Sequence, residues 1–225
     1  MSAAGPRGLL LDFGSVISAS LFERHSDNEA RLGLPAGALD WPGPLDPARD
    51  PLWQRMLDDD ISERDYWAQR AEQTGQLLGQ TGWTMQTLLS HVRHTDPAEA
   101  VRPAMRQLIN QARAAGLRVG ILSNELELFY GTAFLQRLDV MQELHCVVDA
   151  SHTGILKPDP RAYAAAVDGM GLTAGELLFV DDQFRNIQGG VRAGLQTHHF
   201  DLRDVPGQIA SIAARLRLPW TTDHD

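Results

Sequence analysis

From Asp96 onward the chain alternates short apolar runs with segments of helical period, and no other feature limits the possible folds as tightly. The runs cover residues 117–122, 146–149, 177–180 and 197–200, and an earlier one, 8–11, opens the chain. Between them, apolar residues recur on a helical face: Val101, Met105, Leu108, Ile109 and Ala112, then Tyr163, Val167 and Met170, then Ile187 and Val191, then Ile209, Ile212, Ala213 and Leu216. Helices are expected from Asp96-Pro97 to Gly116 and over 126–138, 161–170, 185–193 and 207–218. Strand-helix alternation of this kind winds into an α/β fold, a Rossmann-like doubly wound parallel sheet with right-handed crossovers. With 225 residues, the chain accommodates one such domain and an insertion.

The insertion is expected at 18–100, where strand patterning is lacking. Four of the five tryptophans lie there, Trp41, Trp53, Trp67 and Trp83, with an acidic run at Asp58, Asp59 and Asp60. Ser62 predicts a helix start for residues 61–75, Leu88, Leu89 and Val92 predict a helix over 83–94, and the prolines of 35–51 predict a loop. The expected organisation is therefore a core made of 1–17 and 101–225 with a small α-helical cap at 18–100. Trp53 and Trp67 are read as packing residues of that cap.

A net charge of −9 argues against nucleic acid and anionic membrane surfaces as partners. The apolar stretch at 8–11 is far shorter than a secretory h-region, no run reaches membrane-spanning length, and the single cysteine, Cys146, excludes an intrachain disulfide. A cytoplasmic location is expected, with Cys146 in the core. Eight scattered histidines show no zinc spacing, the nearest approach being His91 and His94. The sequence leaves the oligomeric state open.

Polar groups stand where buried strands end. Asp12 follows Leu9, Leu10 and Leu11; Ser123 and Asn124 follow the second run; Lys157 lies in the loop after the third; Asp181 and Asp182 follow the fourth. Taken singly, these read as a turn aspartate, a turn, a surface lysine and a helix cap. A parallel sheet, however, gathers its strand C-termini on one edge, so the set can converge in one cleft. Carboxylates with a backbone carbonyl form a hard oxygen site suited to Mg²⁺. Asp12 could then attack phosphorus while Lys157 and the Ser123 hydroxyl hold the oxygens of the transferring group.

In this order, LLLDFGSVI, VGILSN, ILKPDPRAY and LLFVDDQFRNIQGG resemble the four motifs of the haloacid dehalogenase (HAD) superfamily over the whole chain. The resemblance implies Asp12 as nucleophile, Ser123 and Lys157 as catalytic groups, and Ser123, Asn124 and Lys157 as phosphate ligands. It further implies Asp12, the Gly14 carbonyl, Asp181 and Asp182 around Mg²⁺, with Asn186 as an orienting residue. A cap inserted after motif one, with the segment DDDISERDYWAQRA, is similar to sugar-phosphate phosphatases of the superfamily. The implied function is Mg²⁺-dependent hydrolysis of a small phosphorylated metabolite, such as a sugar phosphate, through an aspartyl-phosphate.

One position departs from the pattern. Phosphatases of the superfamily usually carry a second aspartate two residues after the nucleophile as general acid and base, and Gly14 stands there. Two alternatives follow: a metal-independent haloacid dehalogenase, and a non-catalytic binding or regulatory protein. His25 is a candidate substitute acid. A glycine directly after a strand also predicts a positive φ at Gly14, at which an aspartate would be strained.

Overall fold

The computed structural model describes residues 5–93, 96–142 and 144–221. Strand β1, Gly8–Leu11, is enclosed on both faces, and Leu9, Leu10 and Leu11 are each 0% exposed, so its sequence is a continuous apolar run instead of an alternation. The chain then makes a wide turn over Phe13–Ile17. Gly14 has φ −62° and ψ 136°, an ordinary extended conformation, so the positive φ expected there is absent. It falls instead on Ser15, at φ 63°, whose carbonyl accepts from the buried Arg102 guanidinium at 3.2 and 2.9 Å.

After this turn the chain leaves the sheet at Ser18, which pairs antiparallel with Val101, while the Arg102 N–H donates to the Ile17 carbonyl at 2.9 Å. Exit and return thus lie side by side. Between them run helices α1 (His25–Leu32), α2 (Pro51–Leu57), α3 (Glu63–Leu77) and α4 (Met85–Val92). The sequence reading carried no helix over α1 or α2. Ser62 caps α3 as anticipated and forms a reciprocal capping box with Asp65. Thr84 caps α4; His94, in the helix expected there, lies outside the described residues, as does His224. Segment 35–51, expected as loop, contains short turns at Gly43–Leu45 and Pro47–Arg49 and buries Trp41 and Asp50. Phe22 lies edge-on to Trp41 and Trp53 at ring-centroid distances of 5.7 and 5.4 Å and 5.2 Å from Trp67, and these rings are continuous with the apolar core on the Leu9 and Leu11 face of the sheet.

Helix α5, Pro103–Ala114, starts later than expected: residues 97–100 form a separate single turn because Val101 is taken by the bridge to Ser18, and Pro103 opens the helix where no N–H is needed. Strand β2 (Arg118–Ser123) follows, then α6 (Leu126–Tyr130) and α7 (Thr132–Leu135), which replace the single helix expected over 126–138 because Gly131, at φ 77°, breaks it. Strand β3 (Cys146–Asp149) leads into α8 (Ala150–Thr153) and α9 (Pro160–Met170), β4 (Leu177–Asp181) into α10 (Phe184–Arg192), and β5 (Gln196–His199) into α11 (Val205–Arg215). The sheet is parallel, in the order β3-β2-β1-β4-β5. Leu9 and Leu11 pack with α5 and α11 residues such as Met105 and Ile209 on one face, and Leu10 packs with Tyr163 and Ile187 of α9 and α10 on the other. Because β3 is an edge strand, Cys146 is only half-buried. The strand order reverses at β1, between β2 and β4, which is where an open α/β sheet leaves a crevice beyond its strand ends.

Candidate active site

Asp12 sits one residue beyond β1, its N–H extending the ladder to the Val180 carbonyl at 2.9 Å. Lys157 Nζ lies between two carboxylates, donating to Asp12 Oδ1 at 2.8 Å and to Asp181 Oδ2 at 2.6 Å. The lysine is thus no surface residue; it is 2% exposed. Asp181, at the end of β4, is fully buried and accepts also from the Gln183 N–H at 2.8 Å and from Asn186 Nδ2 at 3.1 and 3.2 Å. Asn186 orients Asp181, and Asp181 in turn anchors the lysine.

Asn124, just past β2, fastens the Lys157 segment from the other side. Its Oδ1 accepts from the Lys157 N–H at 2.7 Å and its Nδ2 donates to the Lys157 carbonyl at 3.3 Å. Ser123, opposite Asp149 in the β2–β3 register, is buried and lines the same cleft as Asp12, Gly14, Lys157 and Asp182. Every strand-end residue proposed from the sequence therefore reaches one place.

The electrostatics follow from burial. Burial pushes the Asp12 carboxyl up, with Lys157 opposing and Asp181 reinforcing that rise. Asp182 is driven well above the usual carboxylate range by burial first, then by Asp181, Asp12 and Glu63. Burial works against the charge on Lys157, yet Asp12 and Asp181 outweigh it and hold the ammonium above its ordinary value. One ammonium faces more carboxylate charge than it can balance.

That surplus fits a divalent cation. Asp12, Asp181 and Asp182 can each present an oxygen within 4.8 Å of the others, and Gln183, in the same cleft, has a buried Oε1 without a hydrogen-bond partner among the described residues. All are hard oxygen donors of the type Mg²⁺ takes. A second group, Glu127, Asp149 and His152, lies apart from this cleft; there Asp149 already accepts the Glu127 and Ser151 N–H groups at 2.8 and 2.9 Å.

The side chain that sequence reasoning missed is Glu63. It opens α3 and lines the cleft beside Asp12, accepting from Asn124 Nδ2 at 3.4 Å. The acidic lead-in to the helix was visible, but nothing local singled out this carboxylate. Its neighbour Arg64 donates to Glu125 at 2.9 and 3.1 Å, tying the start of α3 to the loop after β2. Trp53 and Trp67 pack as expected and also line the cleft, along with Leu21, Phe22, Met85 and Leu89. His25 does not line it: its ring packs on Trp41 at 4.6 Å.

A family model described as haloacid dehalogenase-like hydrolase matches residues 51–194. A phosphatase of Mycobacterium tuberculosis is 32% identical over 99 residues, 44% of this chain and 46% of that protein. Acyl-CoA dehydrogenase family member 10 of Mus musculus is 28% identical over 151 residues, 66% of this chain and 14% of that protein. The chain thus spans less than half the length of these curated relatives. Among solved structures, a dehalogenase superposes with a TM-score of 0.61 at 20% identity, covering 95% of this chain and 97% of its own, a likeness of fold.

Proposed function

This chain belongs to the haloacid dehalogenase-like hydrolase family, and we propose that it is a Mg²⁺-dependent phosphomonoesterase that works through an aspartyl-phosphate on Asp12. The observation that carries the reading is the group around Lys157: a nucleophile-bearing strand end, a buried ammonium 2.8 Å from it, and the Asp181 and Asp182 carboxylates alongside. Attack on carbon, as in a dehalogenase, has no need of the additional carboxylate Asp182. The relatives named as phosphatases support the same choice.

In this reading an Asp12 oxygen attacks the phosphorus of the bound ester, and the Lys157 ammonium and Ser123 hydroxyl hold the transferring oxygens. Asn124, whose amide is engaged with the Lys157 backbone, keeps the ammonium aimed as well as facing the phosphate. Asp12, Asp181, Asp182 and the Gly14 carbonyl would hold Mg²⁺, which offsets the repulsion between carboxylate and phosphate. Residues 18–100 act as a cap that supplies the wall for the alcohol portion. That wall mixes Trp53 and Trp67 with Leu21, Phe22 and Met85, so it accommodates the carbon face of a sugar and, better, an alcohol with an apolar body.

The test is turnover of a panel of sugar, alkyl and aryl phosphates with Mg²⁺ and with EDTA, alongside halide release from 2-haloacids. Mg²⁺-dependent phosphate release is expected; halide release without metal would establish the dehalogenase alternative, and inactivity on both would favour a binding protein. Asp182→Ala is expected to abolish Mg²⁺ binding in calorimetry together with turnover, with the circular dichroism spectrum retained. Unchanged Mg²⁺ affinity in that variant would remove Asp182 from the metal site.

A further inference from the structure

Splitting a phosphate monoester of an ordinary alcohol requires a proton for the departing oxygen, and hydrolysing the aspartyl-phosphate requires a base for water. Gly14 supplies neither. The cleft around Asp12 therefore has to provide a proton-carrying side chain from elsewhere, and few of its lining residues qualify. Glu125 is held by the bidentate contact with Arg64, and the Tyr130 hydroxyl is paired with Ser18 at 3.0 Å, with burial raising its pKa to about 12. Asp181 is occupied by Lys157 and Asn186, and Asp182 belongs with the cation site. Glu63 is left.

Resting on the phosphomonoesterase reading, we propose that Glu63 is the general acid and base of this enzyme, carried on the first turn of α3 in place of the aspartate that Gly14 replaces. Three contacts bear on its position. Asn124 Nδ2 reaches Glu63 Oε2 at 3.4 Å, and the same amide grips the Lys157 backbone, so the proton carrier and the phosphate-holding ammonium share one support. On one side Arg64 ties the helix start to Glu125 behind β2, and on the other Asp59, just ahead of α3, accepts from Arg185 of α10 at 3.2 Å. The helix is capped by Ser62 and Asp65, so the Glu63 carboxylate is not consumed as a cap.

The groups facing it are Asp12, Asp181, Asp182, Glu125, Lys157 and Arg185. Burial, opposed by Lys157 and reinforced by Asp181, moves Glu63 above the ordinary glutamate value, the direction that keeps a proton available for the leaving group. In the first half-reaction the bond from Asp12 Oδ to phosphorus forms, the ester P–O bond breaks, and the Glu63 proton passes to the departing oxygen to give the alcohol. In the second, the Glu63 carboxylate takes a proton from water as its oxygen attacks phosphorus. The P–O bond to Asp12 breaks, releasing phosphate, the Asp12 carboxylate and protonated Glu63.

Glu63→Gln keeps the shape and removes the proton. In full-length protein with Mg²⁺, this variant should lose roughly 10² to 10⁴-fold in kcat on alkyl phosphates. On p-nitrophenyl phosphate, whose leaving group needs no proton, the single-turnover burst should survive while phosphate stays on Asp12 in acid-quenched protein. Gly14→Asp in the Glu63→Gln background should recover at least tenfold, because Gly14 has φ −62° and a Cβ there meets nothing closer than Asp12 Oδ2 at 3.9 Å. Circular dichroism checks the fold of each variant. A wild type that turns over phosphate esters together with a Glu63→Gln variant that is unaffected, or whose single-turnover phosphorylation step is slowed equally for every leaving group with no phosphate retained on Asp12, would overturn the assignment while leaving the phosphatase reading intact. A higher KM at unchanged kcat would make Glu63 a substrate-binding group and overturn it equally. No turnover of any phosphate ester by the wild type would remove both.

Discussion

Replacing Lys157 with methionine should reduce turnover by roughly 10² to 10³-fold, since charge-stabilising donors of this kind each contribute on that scale. The expectation is large because the lysine performs two tasks. In the proposed reaction it holds the oxygens of the transferring group; in the resting cleft it separates Asp12 from Asp181, at 2.8 and 2.6 Å. Without the ammonium, the Asp12 carboxyl loses the charge that opposes its rise on burial, and a protonated Asp12 is not a nucleophile. Lys157→Arg should not restore activity, because a planar, branched guanidinium cannot occupy a gap fitted to a compact ammonium. Steady-state kinetics on the best substrate, with circular dichroism as a control for folding, measures this. Activity of Lys157→Met within tenfold of wild type would deny the lysine its role.

Asp50→Ala should be the most destabilising single change in the helical region. Asp50 is 0% exposed and accepts from the Gly43 and Trp53 N–H groups at 3.1 and 2.9 Å, from the Tyr66 hydroxyl at 2.9 Å and from the Arg70 guanidinium. One carboxylate thereby ties segment 35–51, the start of α2 and the middle of α3. Removing it leaves Arg70, 8% exposed, as a buried charge without its counter-ion, a defect that costs about 3–5 kcal/mol. Thermal unfolding followed by tryptophan fluorescence should show a midpoint lower by roughly 6–20 °C. Asp50→Ala combined with Arg70→Met should recover part of the loss, because the stranded charge is gone. An unchanged midpoint in Asp50→Ala would mean that the network is solvated in solution.

Asp12, Ser123 and Asp181 were legible from the sequence for a topological reason: each stands where an apolar run ends, and in a parallel sheet every such position faces the same edge, while Lys157 was legible as part of the loop that follows the third run. The outline of the helical region was legible too, since Ser62 announces α3 through a local capping interaction. Glu63 was not, because whether the first residue of a helix faces solvent or a cleft depends on how that helix docks, here through Arg64 to Glu125. Asp50 was hidden in a proline-rich stretch that reads as loop, its importance arising from partners on two other segments. At Gly14 residue type alone suggested a left-handed backbone, and the turn placed that conformation on Ser15 instead, where Arg102 reaches its carbonyl.

The sequence by itself determined the parallel sheet, the family and the convergence of the strand-end groups, because periodicity and chain order carry that information without reference to distant contacts. Only the tertiary structure decided that Lys157 stands between two carboxylates, that Asn124 holds its backbone, and that a glutamate from the inserted helices enters the cleft beside Asp12. Those outcomes depend on packing between segments far apart in the chain, where hydrogen-bond geometry and burial, which no local pattern encodes, select one arrangement.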